Sequence, residues 1–201
     1  MKGVRKQNTD ATMSFVVKKA QTYDPDSAHS EHVTVLGLSL FDGLQSLHGY
    51  GADERRLLEI AGRLHDIGWS QGVSRKHHKL SRDLILELDI PALDERDRVL
   101  CGLIARYHRK ALPDASRHRR FASLNSCRRE LVEWLAGILR VADGLDVTHA
   151  NAVGRLACDI DKKAITIRLE TAGDCRTEVE GARKKQDLLE RKTGRRIEYR
   201  C

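Results

Sequence analysis

The chain has 201 residues, enough for one good core or one core with a small appendage. Charged residues make up 32% and aromatics only 4%, yet the aliphatic residues suffice for a helical domain. The net charge of +7 suits an anionic ligand such as phosphate, nucleotide or nucleic acid, and no apolar run approaches a membrane span.

Residues 1–11 are polar and read as loose, and residues 12–23 read as a short helix with Phe15, Val16 and Ala20 inward. Asp24-Pro25 reads as an N-cap followed by proline at the first helical position. From there His29, Val33, Leu36, Leu40, Leu44 and Leu47 fall at three- and four-residue steps. That is the stripe of a long helix, which Gly49 and Gly51 end. Asp53 caps the next helix, whose stripe of Leu57, Ile60, Ala61 and Leu64 delivers His65 and Asp66 at its end.

After a loop over 68–76, Ser74 is placed to cap a helix in which His77, Leu80, Leu84 and Leu88 share a face. Pro91 stops it. Asp94 opens a helix with Leu100, Leu103, Ile104 and Tyr107 inward and His108 at its exit. Residues 111–124 form a basic connection, and a longer helix from Asn125 lines up Leu131, Leu135, Leu139 and Asp143. Beyond Asn151 the period changes. Two alternating strands over 156–161 and 164–170 precede a charged helix over 178–192 and a last strand over 196–200. The expected architecture is mainly α: a helical bundle over residues 1–150 and a small α+β appendage over 151–201.

Buried polar groups without partners are costly, so an apolar seam carrying several imidazoles and carboxylates asks for a common partner. His29, His65, Asp66, His77, His108 and Asp143 all ride or end apolar stripes, and a metal ion is the economical answer. His32 competes with His29, and His78 with His77; helical phase favours His29. With all six as ligands the site would hold two ions, and with only His29, His65, Asp66 and Asp143 it would hold one. Mixed imidazole and carboxylate donors suit Mn, Fe, Co or Ni, and Mg less well. Such a metal lowers the pKa of bound water from about 15.7 towards 7.

Arg75, Lys76, Lys79, Arg106, Arg109 and Lys110 flank these donors. With His32 and His78 they are candidate phosphate contacts through charge-assisted hydrogen bonds. A solvated basic face is the commoner outcome of such a run. Aromatic interleaving is nearly absent, which argues against stacking on single-stranded nucleic acid.

The order of a His, a His-Asp dyad and a distant Asp resembles the HD phosphohydrolase superfamily. Its motifs are similar to His29-Ser30-Glu31-His32-Val33, Arg63-Leu64-His65-Asp66-Ile67-Gly68 and Ala142-Asp143-Gly144-Leu145-Asp146. A closer resemblance, over roughly residues 12–200, is to the HD domain at the C-terminal end of the exopolyphosphatase/guanosine pentaphosphate phosphatase (Ppx/GppA) family. It rests on Ser74-Arg75-Lys76-His77-His78-Lys79, Ala105-Arg106-Tyr107-His108-Arg109-Lys110 and Leu47-His48-Gly49. The actin-like half of that family, which carries its polyphosphate chemistry, is not in this sequence, so exopolyphosphatase activity does not carry over.

The resemblance implies an HD-domain helical bundle and a divalent-metal-dependent phosphohydrolase. A metal-activated water would attack a phosphate ester or anhydride of a nucleotide or related compound. His65 and Asp66 would be the catalytic pair, with Asp66 bridging if two ions bind. The alternative is a catalytically silent HD module that binds polyphosphate or nucleotide as a regulatory or accessory protein. A third reading is a nucleic-acid-binding accessory protein using the basic segment. Whether the chain works as a homodimer stays open. Five cysteines form an odd set without Cys-x-x-Cys spacing, and no secretory pattern opens the chain, so a reducing cytoplasm is the expected compartment.

Overall fold

The computed structural model describes residues 2–72 and 76–201, with side chains from residue 11 onward. Helix α1 (Lys2–Tyr23) starts ahead of residue 12, so the expected loose lead is helical. Its Lys, Arg, Gln and Ala residues are good helix formers, and they extend a segment already anchored by buried Val16 and Ala20. Asp26, not Asp24, caps α2 (Ser27–Gly43), accepting from the His29 amide at 3.3 Å. Asp24 is buried instead and accepts from the Asp26 amide at 2.9 Å and from the Ser30 hydroxyl.

The long stripe expected to reach Leu47 breaks at Gly43. Leu47 falls in a separate turn, α3 (Gln45–His48), closed by Gly49 at φ 67°. Helix α4 (Ala52–Arg63) begins after Gly51, whose amide donates to Glu54 Oε2 at 2.9 Å. Asp53, expected as the cap, sits in the first turn, where a carboxylate favours the helix dipole. A 3-10 turn (Ile67–Gln71) follows the His65-Asp66 corner.

Helix α5 (His77–Glu87) buries His77, His78, Ser81 and Ile85 rather than the Leu80, Leu84 and Leu88 line. The expected cap, Ser74, lies outside the described residues. The 3-10 turn presses against this face. The Gly68 amide donates to Ser81 Oγ at 2.9 Å, and a Cβ on Gly68 would meet His77 O at 2.2 Å. Helix α6 (Glu95–Arg106) is capped by Asp94, which accepts from the Asp97 amide at 2.8 Å. A short helix α7 (Arg119–Ala122) interrupts the basic connection.

Helix α8 (Ser126–Gly144), capped by Asn125, buries 13 of its 19 residues, the pattern of a helix covered on most sides. It packs on α2 and α6. Strands β1 (Val153–Ile160) and β2 (Ala164–Thr171) pair antiparallel, and β3 (Arg196–Arg200) lies parallel to β2, in the order β1-β2-β3. Parallel neighbours need a crossover. Here it is two helices, α9 (Arg176–Arg183) and α10 (Asp187–Thr193), where one was expected. The break between them holds Lys185.

Both crossover helices pack on α8, and β1 packs on α2. Glycine makes the approach of α9 possible, since a Cβ on Gly144 would meet Ala182 Cα at 2.5 Å. One apolar cluster therefore joins Leu135 and Ile138 of the bundle to Leu188, Leu189 and Ile165. Cys175 is disulfide-bonded to Cys201, while Cys101, Cys127 and Cys158 are free. Among the described residues no helix is long and apolar enough to cross a membrane.

Candidate metal centre

Apolar packing delivers each donor. The stripe of α4 ends at Leu64, so His65 and Asp66 leave in a turn whose flanks, Leu64 and Ile67, are fully buried. His65 Nδ1 lies 2.7 Å from Gly62 O, and His108 Nδ1 lies 2.7 Å from Ala105 O. A carbonyl can only accept, so both Nδ1 atoms carry the proton. His29 Nδ1 is likewise 2.7 Å from Asp146 Oδ2. All three rings are thereby held with Nε2 towards the carboxylates, the usual way a protein orients a metal-binding imidazole.

The distances converge on Asp66 and Asp143. His77 Nε2 lies 3.3 Å and His108 Nε2 3.6 Å from Asp66 Oδ1, and His65 Nε2 lies 3.7 Å from Asp66 Oδ2. Asp143 Oδ1 is 3.4 Å from His29 Nε2 and 4.0 Å from His65 Nε2. Donor atoms of His29, His65 and Asp66 all lie within 4.8 Å of one another, and so do those of Asp66, His77 and His108. The two groups share Asp66. Asp66 Oδ1 and His65 Nε2 are buried without a hydrogen-bond partner, the costly arrangement that a cation between them would relieve.

The electrostatics fit a cation. Burial pushes the Asp66 carboxyl up, but His65 and then His108 outweigh it and hold it below the usual carboxylate range. Burial also opposes ionisation of Asp143, yet Lys185 and His29 keep it well below that range. For His29, burial disfavours the proton, while the bonds to Asp143 and Asp146 raise the pKa to about 10. Burial and His65 keep His108 well below the ordinary imidazole value, so its Nε2 faces Asp66 as a lone pair. Imidazole and carboxylate donors in this mixture suit a divalent transition ion.

A cleft of about 650 Å³ opens over the donors, and His29, Asp66, His77, His108 and Asp143 line it; His65 lies behind them. Trp69 stacks on His77 at 4.4 Å and donates to Asp66 Oδ2 at 3.2 Å. Of the candidate phosphate contacts, Arg109 and Lys110 line the cleft. Lys79 and Arg106 line a different groove, Lys76 is exposed and lines neither, and Arg75 lies outside the described residues. His32 and His78 do not line the cleft, and each keeps a buried ring nitrogen without a hydrogen-bond partner. Burial, then Arg106, pushes His78 down to about 4.

Sequence reasoning did not single out Asp146, Lys184 or Lys185. Asp146 lies in the turn just past the end of α8, and in the sequence it appeared only as the last residue of the string around Asp143, with no role of its own. Lys185 forms an ion pair with Asp143 from 42 residues away, and Lys184 lines the cleft beside it. Nothing local marks either. Arg140, buried on α8, donates to Tyr107 O at 3.2 Å and to Asp187 Oδ1 at 2.9 Å, and so fixes this segment over the cleft.

The family model described as Ppx/GppA phosphatase, domain III, matches residues 12–189 of the chain. No curated protein matches it.

Proposed function

The chain belongs to the Ppx/GppA phosphatase, domain III, family, and we propose that it is a divalent-metal-dependent phosphohydrolase of the HD type. The observation that carries this is Asp66, shared by two groups of donors and buried with Oδ1 facing imidazole nitrogens but making no hydrogen bond. His29, His65, Asp66 and Asp143 would hold one ion, and Asp66, His77 and His108 a second. Mn, Fe, Co or Ni suits the set best, with Mg as a weaker fit. The bound metal supplies Lewis acidity and an acidified water for attack on phosphorus.

The chain's own residues do the rest. Asp146 holds His29 in the tautomer that offers Nε2. Trp69 packs His77 into place and steadies the outer oxygen of Asp66. Arg109, Lys110, Lys184 and Lys185 line the same cleft and would bind phosphate oxygens by charge-assisted hydrogen bonds. The substrate is a phosphate ester or anhydride of a nucleotide or related compound, reached by the family relation and the basic rim together.

Two contacts favour a second reading, a catalytically silent module that binds nucleotide or polyphosphate for a partner protein. Lys185 already neutralises Asp143, and His77 Nε2 accepts from Arg109 Nη1 at 3.2 Å. Both cations sit where an ion would compete with them. A phosphate-release screen over nucleotides with Mn²⁺ separates the two readings. The hydrolase reading expects turnover that Asp66→Ala abolishes. Turnover that survives this substitution unchanged would remove it, and binding without turnover would support the silent module.

A further inference from the structure

A second groove, of about 460 Å³, shares no lining residue with the cleft over the metal donors. Six cationic side chains line it: Lys79 and Arg82 from α5, Arg106 from α6, and Arg117, Arg119 and Arg120 at or just before α7. Among the described residues, no Asp or Glu lines it. Arg82 is held by Asp83, with paired bonds at 2.8 Å.

Arg106 is the informative member. It is only 7% exposed, lies over the Tyr107 ring at 5.3 Å, and forms no ion pair among the described residues. Burying a guanidinium is costly unless acceptors meet it, and here the Tyr107 hydroxyl, a neutral group, supplies one. Surrounding it with further cations increases that cost. The pKa of His118, also lining the groove, is lowered by burial and then by Arg106.

The planar fork of arginine matches phosphate oxygens two at a time. The groove is in the size range of small-molecule sites, about 300–1,000 Å³. Its aromatic residues, Tyr107 and Phe121, are buried and offer no face for a base. Recognition must therefore run through charge on phosphate. We infer that this groove is a second anion site, distinct from the metal donors, which takes a compact anion carrying two or more phosphate groups, with Arg106 at its base. It stands whether or not the metal donors hydrolyse anything.

Calorimetric titration of chelator-treated protein with diphosphate tests it. Arg106→Gln and the exposed double variant Arg117→Gln/Arg120→Gln should each weaken binding by about tenfold or more. The double variant leaves the core untouched, so the test survives if Arg106→Gln fails to fold. Arg109→Gln/Lys185→Gln, which strips cations from the other cleft, should leave the tight diphosphate site within about twofold. Inorganic phosphate should bind more weakly than diphosphate. Loss with the cleft pair but not the groove pair would overturn the inference. So would a chain that ignores diphosphate but binds a short DNA duplex with steep salt dependence, since the groove would then be a nucleic-acid surface. Metal-dependent phosphate release that persists in the groove double variant would keep the two sites separate.

Discussion

Lys185, from the break between α9 and α10, places its ammonium against Asp143 at the end of α8. The C-terminal segment thereby supplies a cation to a carboxylate that the bundle aims at its metal donors. Neutralising Asp143 from within weakens its pull on an ion. Lys185→Met should tighten Mn²⁺ binding by about two- to fivefold, the scale of one partly exposed ion pair, as read by calorimetry. The same variant should bind phosphate in the cleft more weakly. Weaker Mn²⁺ binding in Lys185→Met would contradict the competition.

His29 gives a pH dependence with a definite sign. Its folded pKa of about 10 lies above the ordinary 6.5, so its protonated form stabilises the fold. That contribution is fully present below pH 6.5 and is lost as pH rises through 10. Urea unfolding of metal-free protein should show stability falling across this window. Saturating metal, which requires neutral His29, should flatten the curve and release a proton near neutral pH, visible as a buffer-dependent heat of binding. A binding heat independent of buffer would count against a protonated His29.

Asp146→Asn keeps the shape but removes the charge that orients His29. Loss of such an orienting partner lowers metal affinity by roughly 10–100-fold. Far-ultraviolet circular dichroism should be unchanged, and Mn²⁺ affinity by calorimetry should fall into that range. Unaltered affinity would show that His29 does not bind the ion.

Gly68→Ala places a methyl group 2.2 Å from His77 O and 2.5 Å from the Ser81 amide, both backbone atoms that cannot swing aside. Forcing the 3-10 turn off α5 should cost about 1–3 kcal/mol in a denaturant melt. It should also weaken metal binding, because Asp66 caps the turn and α5 carries His77. An unchanged melting curve would mean that this contact is looser than the geometry indicates.

Much of the helical frame was legible because apolar spacing is a local signal. The stripes ending at Leu64 and Leu139 located His65, Asp66 and Asp143 on the right elements, and Asp94 and Asn125 marked true caps. Caps chosen between near neighbours were less legible. Asp24 and Asp26 are both good cap residues, and burial of Asp24 under Ser30 decided the matter. The face of α5 was misread because the tight approach of Gly68 selects His77 and Ser81, whatever the leucines prefer. Strand β1 begins at Val153, ahead of the alternation first seen at Leu156, because pairing with Thr171 across a bulge extends it. Lys185 left no local trace, since only the crossover between β2 and β3 brings it to Asp143. The basic run looked like one phosphate-binding surface, yet Arg106 and Arg109 face different grooves because the chain turns at Tyr107, just past the end of α6.

The most direct test of the metal centre is anomalous diffraction from crystals soaked in Mn²⁺, recorded with and without Asp66→Ala. Expected is an anomalous peak beside Asp66 within reach of His65, and its loss in the variant. No peak there in the wild-type protein at saturating Mn²⁺, or a peak that Asp66→Ala leaves in place, would contradict the assignment.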